Sequence, residues 1–219
     1  MAVLNRGEGV LEVRPRIQDW WHEGGERVVR LPGSVERTAA TWSSVLPRQV
    51  ILAPGEARAF TLHLSPPEGL TGGYYAILFV TASSPSSGAS GEVMGIAGEI
   101  GVPIQVRVGD GAVAIGIERI SVDPPTETTP LRVRVEVRNE GDVHVKPEMT
   151  VTVVDEAGQL PARMTGEPSY LLPGETRGYS ADWGGVIAPG EYQVLATLTP
   201  GGGTAVTAAA PLVVGAAPP

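Results

Sequence analysis

The chain contains no cysteine, which excludes disulfide staples and thiolate metal sites alike. Histidine is scarce: His22, His63 and His144 stand far apart, none with a neighbour at ligand spacing. A zinc site would have to take most of its ligands from carboxylates, and neither a metal nor a cofactor is expected. Basic residues are in deficit, 16 against 24 acidic, for a net charge of −8. That balance argues against nucleic acid or an anionic membrane as partner. No apolar run approaches the roughly 18 residues that read as a membrane span. No basic segment leads into an apolar one at the start, so neither a transmembrane helix nor an uncleaved export signal is expected in this chain.

What is abundant is glycine and proline, 29 and 20 of 219 residues, without the three-residue period of collagen. With 42% hydrophobic residues the chain can still fill cores, so the composition reads as turn-rich all-β rather than disordered. The stretch Leu46 to Phe79 shows the unit: β-favouring runs at Gln49–Leu52, Arg58–Leu64 and Tyr74–Thr81, punctuated by Pro54-Gly55 and Gly72-Gly73. Leu171 to Leu198 repeats the scheme around Pro173-Gly174-Glu175 and Pro189-Gly190. Alternation with turns at this spacing predicts antiparallel sandwiches. Two tandem immunoglobulin-like sandwiches are expected, over 1–109 and 112–215, divided near Gly109-Asp110-Gly111.

Several local features sharpen this reading. Arg132–Arg138 is the cleanest alternation, with Val133, Val135 and Val137 on one face and charges on the other. Strands are also expected over Ile100–Val108, Val113–Val122, Val143–Val154 and Thr204–Val214. Pro15 in the run Val10–Ile17 suits an edge or a bulge. Residues 34–48 suggest a short irregular or helical crossing anchored by Trp42. The polar run 83–92 is expected as a mobile hairpin loop, and Gly215–Pro219 as a fraying end.

Aligning the halves pairs Asn5-Arg6-Gly7 with Asn139-Glu140-Gly141. The second half has two strands before its triplet; the first has four residues. The first sandwich is therefore expected to lack its opening strand and most of the next. Truncation, rearrangement of a neighbouring stretch and strand addition by another chain would each answer the exposed edge that results.

No catalytic constellation emerges. There is no nucleophile-elbow pattern, the serines of 83–90 lie in a flexible run, and Asp19, Glu23 and Glu26 read as an exposed turn. Asp123 and Asp155-Glu156 are oxygen donors at module ends, without a 12-residue calcium loop. Trp20, Trp21, Tyr74 and Tyr75 are the candidate recognition residues, able to stack on a sugar or bury in a protein partner. With only two phenylalanines, the competing reading places tryptophans in the core, one of the Trp20-Trp21 pair inward and one outward. Trp42 and Trp183 are expected at related repeat positions.

The combination of Asn139-Glu140-Gly141, Asp155-Glu156-Ala157-Gly158, Leu172-Pro173-Gly174-Glu175 and Trp183 with Pro189-Gly190-Glu191-Tyr192 resembles the second immunoglobulin-like domain of the WxL-interacting group of bacterial surface proteins. Pro47–Leu52, Pro54-Gly55-Glu56 and Gly72-Gly73-Tyr74-Tyr75-Ala76 are similar to their first domain. Similar phrases occur in the amino-terminal domain of periplasmic pilus chaperones, although the basic pair that holds a subunit's terminal carboxylate has no match here. The resemblance implies an exported, non-catalytic module of the cell surface or periplasm that binds peptidoglycan, another cell-wall glycan or a protein partner. Self-association through the incomplete first module, a structural scaffold or filament role, and a carbohydrate-binding accessory domain are the alternatives.

Overall fold

The computed structural model describes residues 1–23, 25–84 and 97–215. They form two compact units, Met1–Gly109 and Asp110–Pro219. Both are antiparallel β-sandwiches, and the second is the simpler to follow.

In the second unit β10 (Ile115–Asp123), β11 (Leu131–Asn139) and β14 (Thr176–Trp183) make one sheet in the order β10-β11-β14. The facing sheet runs β13-β12-β15-β16, from β12 (Glu148–Asp155), β13 (Ala162–Thr165), β15 (Gly190–Thr199) and β16 (Val206–Val214). Three strands over four, with sequence-adjacent strands split between sheets, is an immunoglobulin-like arrangement. The alternation of β11 places Leu131, Val133, Val135 and Val137 fully inside, where they meet Val151, Val153, Val194, Ala196 and Leu198 of the other sheet. β10 covers the open flank of this core with Ile115, Ile117, Ile120 and Val122. The strand expected from Val143 begins only at Glu148. Pro147 has no backbone donor, and Val145 bridges instead to Leu171.

The first unit has β1 (Ala2–Leu4), β2 (Leu11–Glu23), β3 (Glu26–Arg30), β4 (Ser43–Leu46), β5 (Val50–Leu52), β6 (Ala57–Ala59), β7 (Thr61–Leu64), β8 (Gly72–Ser83) and β9 (Ala97–Val108). Its larger sheet runs β3-β2-β8-β9, with β5 also on β2. β5 pairs residues 11–13 of β2, and β3 pairs 19–23. Pro15 falls in the gap between them, where a missing donor is harmless. A 3-10 turn, Ala40–Trp42, supplies the expected crossing. The loop expected at 83–92 and the fraying end lie largely outside the described residues.

The two units share a corner that explains the repeated triplets. Asn5 and Asn139 are both fully buried. Asn139 Nδ2 donates to Val143 O and Leu171 O, both at 2.9 Å, and Gly141 N donates to Asn139 Oδ1. Asn5 Nδ2 donates to Gly9 O and Leu52 O, and Gly7 N to Asn5 Oδ1. In each unit the asparagine amide also donates to the glutamate of Pro-Gly-Glu, and the glycine amide donates back to the asparagine carbonyl. A carboxylate oxygen of that glutamate, Glu56 or Glu175, closes the turn on the amide of Ala53 or Leu172. Gly55 and Gly174 take the left-handed φ that the turn demands, 78° and 74°.

From this shared corner the registers coincide. Leu4 pairs with Ala57 as Arg138 pairs with Thr176, and Val3 with Arg58 as Val137 with Arg177. β1 stops after three residues, whereas β11 continues to Leu131. Phe60 exchanges backbone bonds with Met1, while Ser65 N donates to Trp42 O ahead of β4. The alternation of backbone direction along a strand therefore sets β1 and β4 on opposite sides of the β6–β7 line. On the β1 side of β7, and beyond β1, no strand pairs among the described residues.

Candidate partner-binding edge

β9 is paired along its whole length with β8, from Gly72↔Val108 to Ser83↔Ala97, and it ends its sheet. Pro103 suits that position, because proline removes a ladder donor and is confined to edges and bulges. Gly101 has a packing reason: a Cβ there would meet Ile77 Cδ1 and Phe79 Cε1, both at 3.0 Å. On this outer face Arg16 stacks over Phe79 at 4.2 Å and reaches Glu99 at 2.9 Å. Thr81 Oγ1 donates to Glu99 at 2.7 Å. The Thr81 hydroxyl and the Arg16 guanidinium hold the Glu99 carboxyl below its ordinary value. Glu99 therefore stays ionised and pins β9 to β8 from outside.

The other face of β9 carries Ile100, Val102, Ile104, Val106 and Val108. Ile104 and Val106 are half-buried against the core, but Ile100 is 70% exposed and Val102 38%. The matching strand of the second unit, β16, shows what is unusual. Gly190↔Val214 corresponds to Gly72↔Val108, so Val206, Ala208 and Ala210 stand where the first unit has Ile100, Val102 and Ile104. The second unit has alanine at two of the three places and packs β10 alongside. The first unit puts large side chains there and leaves two of them to solvent. An edge strand that no further described strand pairs, with part of its apolar row exposed, is the kind of edge to which an extended segment can be added.

The residues singled out from the sequence are placed elsewhere. Trp20 is 1% exposed and Tyr75 fully buried, while Trp21 and Tyr74 are half-buried. Both tryptophans make edge-on contacts with Tyr75, at 5.8 and 5.4 Å, and Tyr74 meets Trp42 at 6.0 Å. These rings pack on one another instead of forming a flat stacking platform, and Trp20 and Tyr75 offer no surface to a glycan. Their neighbour Asp19, expected in an exposed turn, is fully buried. Its carboxylate accepts from Ser34 N, Val35 N and Thr38 Oγ1. That anchors 37–39 beside β8, where Ala39 N donates to Tyr75 O and Tyr75 N to Arg37 O. Glu23 pairs with Arg30 and stands across the hairpin from Glu26, and among the described residues these two do not gather with Asp19 into one group.

The other candidate ligands also have structural partners. Asp123 binds Arg134 at 2.8 Å, Asp155 Oδ1 accepts from Gln159 N, and His144 packs edge-on against Tyr170. Among the described residues no group of three or more metal-ligating side chains gathers. No helix is long and apolar enough to cross a membrane. The equivalence of Trp42 and Trp183 also fails. The shared Pro-Gly-Glu corner aligns Leu64 with Trp183, and Trp42 lies in the 3-10 turn before β4.

No protein-family model and no curated protein matches the sequence. Solved structures do match. A class 5 fimbriae chaperone, CfaA, is 12% identical with a TM-score of 0.53, over 95% of this chain and 89% of its own. A chain from a chaperone–tip adhesin complex of CFA/I fimbriae matches with the same figures. The likeness establishes the fold: two immunoglobulin-like domains arranged in sequence as in those chaperones. The proteins that share this fold are pilus chaperones, and nothing in the comparisons supports the WxL-interacting group or a peptidoglycan partner.

Proposed function

We propose that this chain is a non-catalytic, extracytoplasmic chaperone-type protein that binds fimbrial subunits by lending them β9 as an added strand. The carrying observation is the edge itself: a twelve-residue strand that, among the described residues, pairs only with β8, with Ile100 and Val102 exposed. Chaperone–pilin pairs associate by strand addition, in which main-chain hydrogen bonds supply affinity and alternate side chains fill pockets. Ile100 and Val102, with Ile104 behind them, present that alternate row. The buried aromatic cluster and the dispersed acidic residues give the competing glycan and metal readings no comparable surface.

The test uses a fimbrial subunit whose own sandwich lacks a strand, refolded by dilution in the presence of the chain. Size exclusion with light scattering reads the soluble complex. A 1:1 complex is expected with the native chain. The double variant Ile100→Asp, Val102→Asp should weaken it by about tenfold or more, since each buried aliphatic side chain is worth roughly 1.5–3 kcal/mol. Equal complex formation by native and variant chains would refute the reading.

A further inference from the structure

β9 carries a proline in the middle of its apolar row, and the neighbours of β8 fix the direction in which that residue's nitrogen points. Tyr75 of β8 exchanges backbone bonds with the segment 37–39: Ala39 N donates to Tyr75 O and Tyr75 N to Arg37 O, both at 2.9 Å. Both backbone groups of Tyr75 therefore point away from β9. In an antiparallel ladder two opposed residues either bond each other or both turn outward, so Gln105, the partner of Tyr75, turns its N–H and C=O to the outer edge. Backbone direction repeats at every second residue, and Glu99, Gly101 and Pro103 face the same way. The bonds to β8 belong to the residues between them, Ile100, Val102 and Ile104.

Glu99, Gly101 and Gln105 each present a donor and an acceptor on that side. Pro103, exposed and opposite Ile77, presents only its carbonyl, because its nitrogen carries no hydrogen. The gap is a property of the β8–β9 pair itself. Any strand laid along this edge has one carbonyl that faces the proline ring instead of a donor.

We propose, on the reading that β9 is lent to fimbrial subunits, that Pro103 is the specificity-determining residue of the edge and acts against pairing of β9 with β9 of a second copy. A subunit's strand meets the gap once. Two copies of this chain related by a two-fold axis meet it twice, because every feature of such a contact is repeated. A missing bond that weakens pairing about fivefold, the equivalent of about 1 kcal/mol, weakens self-pairing by about 25-fold. Proline is one of the devices by which sheet edges resist pairing with their own kind, and here it stands between the apolar residues that would drive it.

The test is the variant Pro103→Thr, which restores the donor with a residue suited to an exposed strand position. It should keep the native unfolding midpoint, since the bonds to β8 are unchanged. Light scattering of the free chain over a dilution series should show self-association strengthened by about 25-fold, while affinity for the strand-deficient fimbrial subunit rises by only about fivefold. The new amide at position 103 should be protected from hydrogen exchange in the complex. The opposite change, Gln105→Pro, adds a second gap on the same side and should lower subunit affinity about fivefold. Equal self-association of native and Pro103→Thr chains would overturn the inference, as would a gain in subunit affinity as large as the gain in self-association. A native chain that forms no subunit complex would overturn the strand-lending reading and this inference together. A native complex with neither variant differing from it would overturn this inference alone.

Discussion

Asn5 and Asn139 make the same set of hydrogen bonds in two different sandwiches, each side chain tying the end of one strand to the Pro-Gly-Glu turn of another. Both are fully buried, so neither amide has water as a substitute. The side chain does the work of a short cross-sheet ladder at a place where the backbone turns away.

Asn139→Ala would take from Val143 O and Gly141 N their Asn139 partner inside the second unit and leave Leu171 O with Val145 N alone. Unpaired buried groups cost about 1–3 kcal/mol, and a loss of that size is expected in urea unfolding, followed by hydrogen exchange at Val133 and Val135. Asn5→Ala should cost less, because Gly9 is exposed and water can reach its carbonyl. Equal losses would mean that the two corners are equally enclosed.

Gly141→Ala and Gly7→Ala form a matched pair. The first drives a methyl group into the backbone of Ala112 and Ala114, and overpacking of this kind costs about 1–3 kcal/mol. The second meets no backbone and should stay within about 0.5 kcal/mol of native. Thermal or urea midpoints of the two variants check the contrast.

The Arg132–Asp182 pair on the outer face of β11 and β14, with two contacts of 2.7 Å, gives the chain a predictable acid response. The hydrogen bonds and charge of Arg132 hold the Asp182 carboxyl below its ordinary value, against a smaller opposing effect of desolvation. A carboxyl whose pKa is lowered by folding contributes stability above its unfolded pKa, about 3.9, and loses it as pH falls through the lower folded value. Arg132→Met should therefore flatten the fall in unfolding midpoint below about pH 4. The effect should be small and should shrink further in high salt, as the pair is exposed. An unchanged acid limb in low salt would contradict this.

What the sequence made legible follows from how local the cause is. The alternation of Arg132–Arg138 could be read directly, because one face had to be buried. The repeated Asn-x-Gly and Pro-Gly-Glu phrases marked a real corner, because both halves build it from the same bonds. Pro15 read as an edge or a bulge, whereas it lies in the interior strand β2, in the stretch that neither β5 nor β3 pairs. The edge position of β9 was not legible, since Ile100–Val108 alternates like any half-buried strand. Only the sheet order, with β9 at the end of its sheet, and the exposure of Ile100 and Val102 show that part of its apolar row is left uncovered. Asp19 misled for a similar reason: an aspartate beside two tryptophans looks like a turn until the loop 34–38 is seen folding its amides onto the carboxylate. Trp20 and Tyr75 had the chemistry of a recognition patch, but a unit with so few phenylalanines spends them on its interior.

The most direct test of the central claim is amide hydrogen exchange along β9 with a strand-deficient fimbrial subunit bound. In the free chain, the alternate amides of 98–106 that point away from β8 should exchange quickly, because among the described residues no strand pairs with that side of β9. In the complex those same amides should slow, in every-second-residue alternation, as a new ladder forms on the open edge. A complex that forms while these amides continue to exchange at their free rate would contradict the account, for the subunit would then be held by some other face of the molecule.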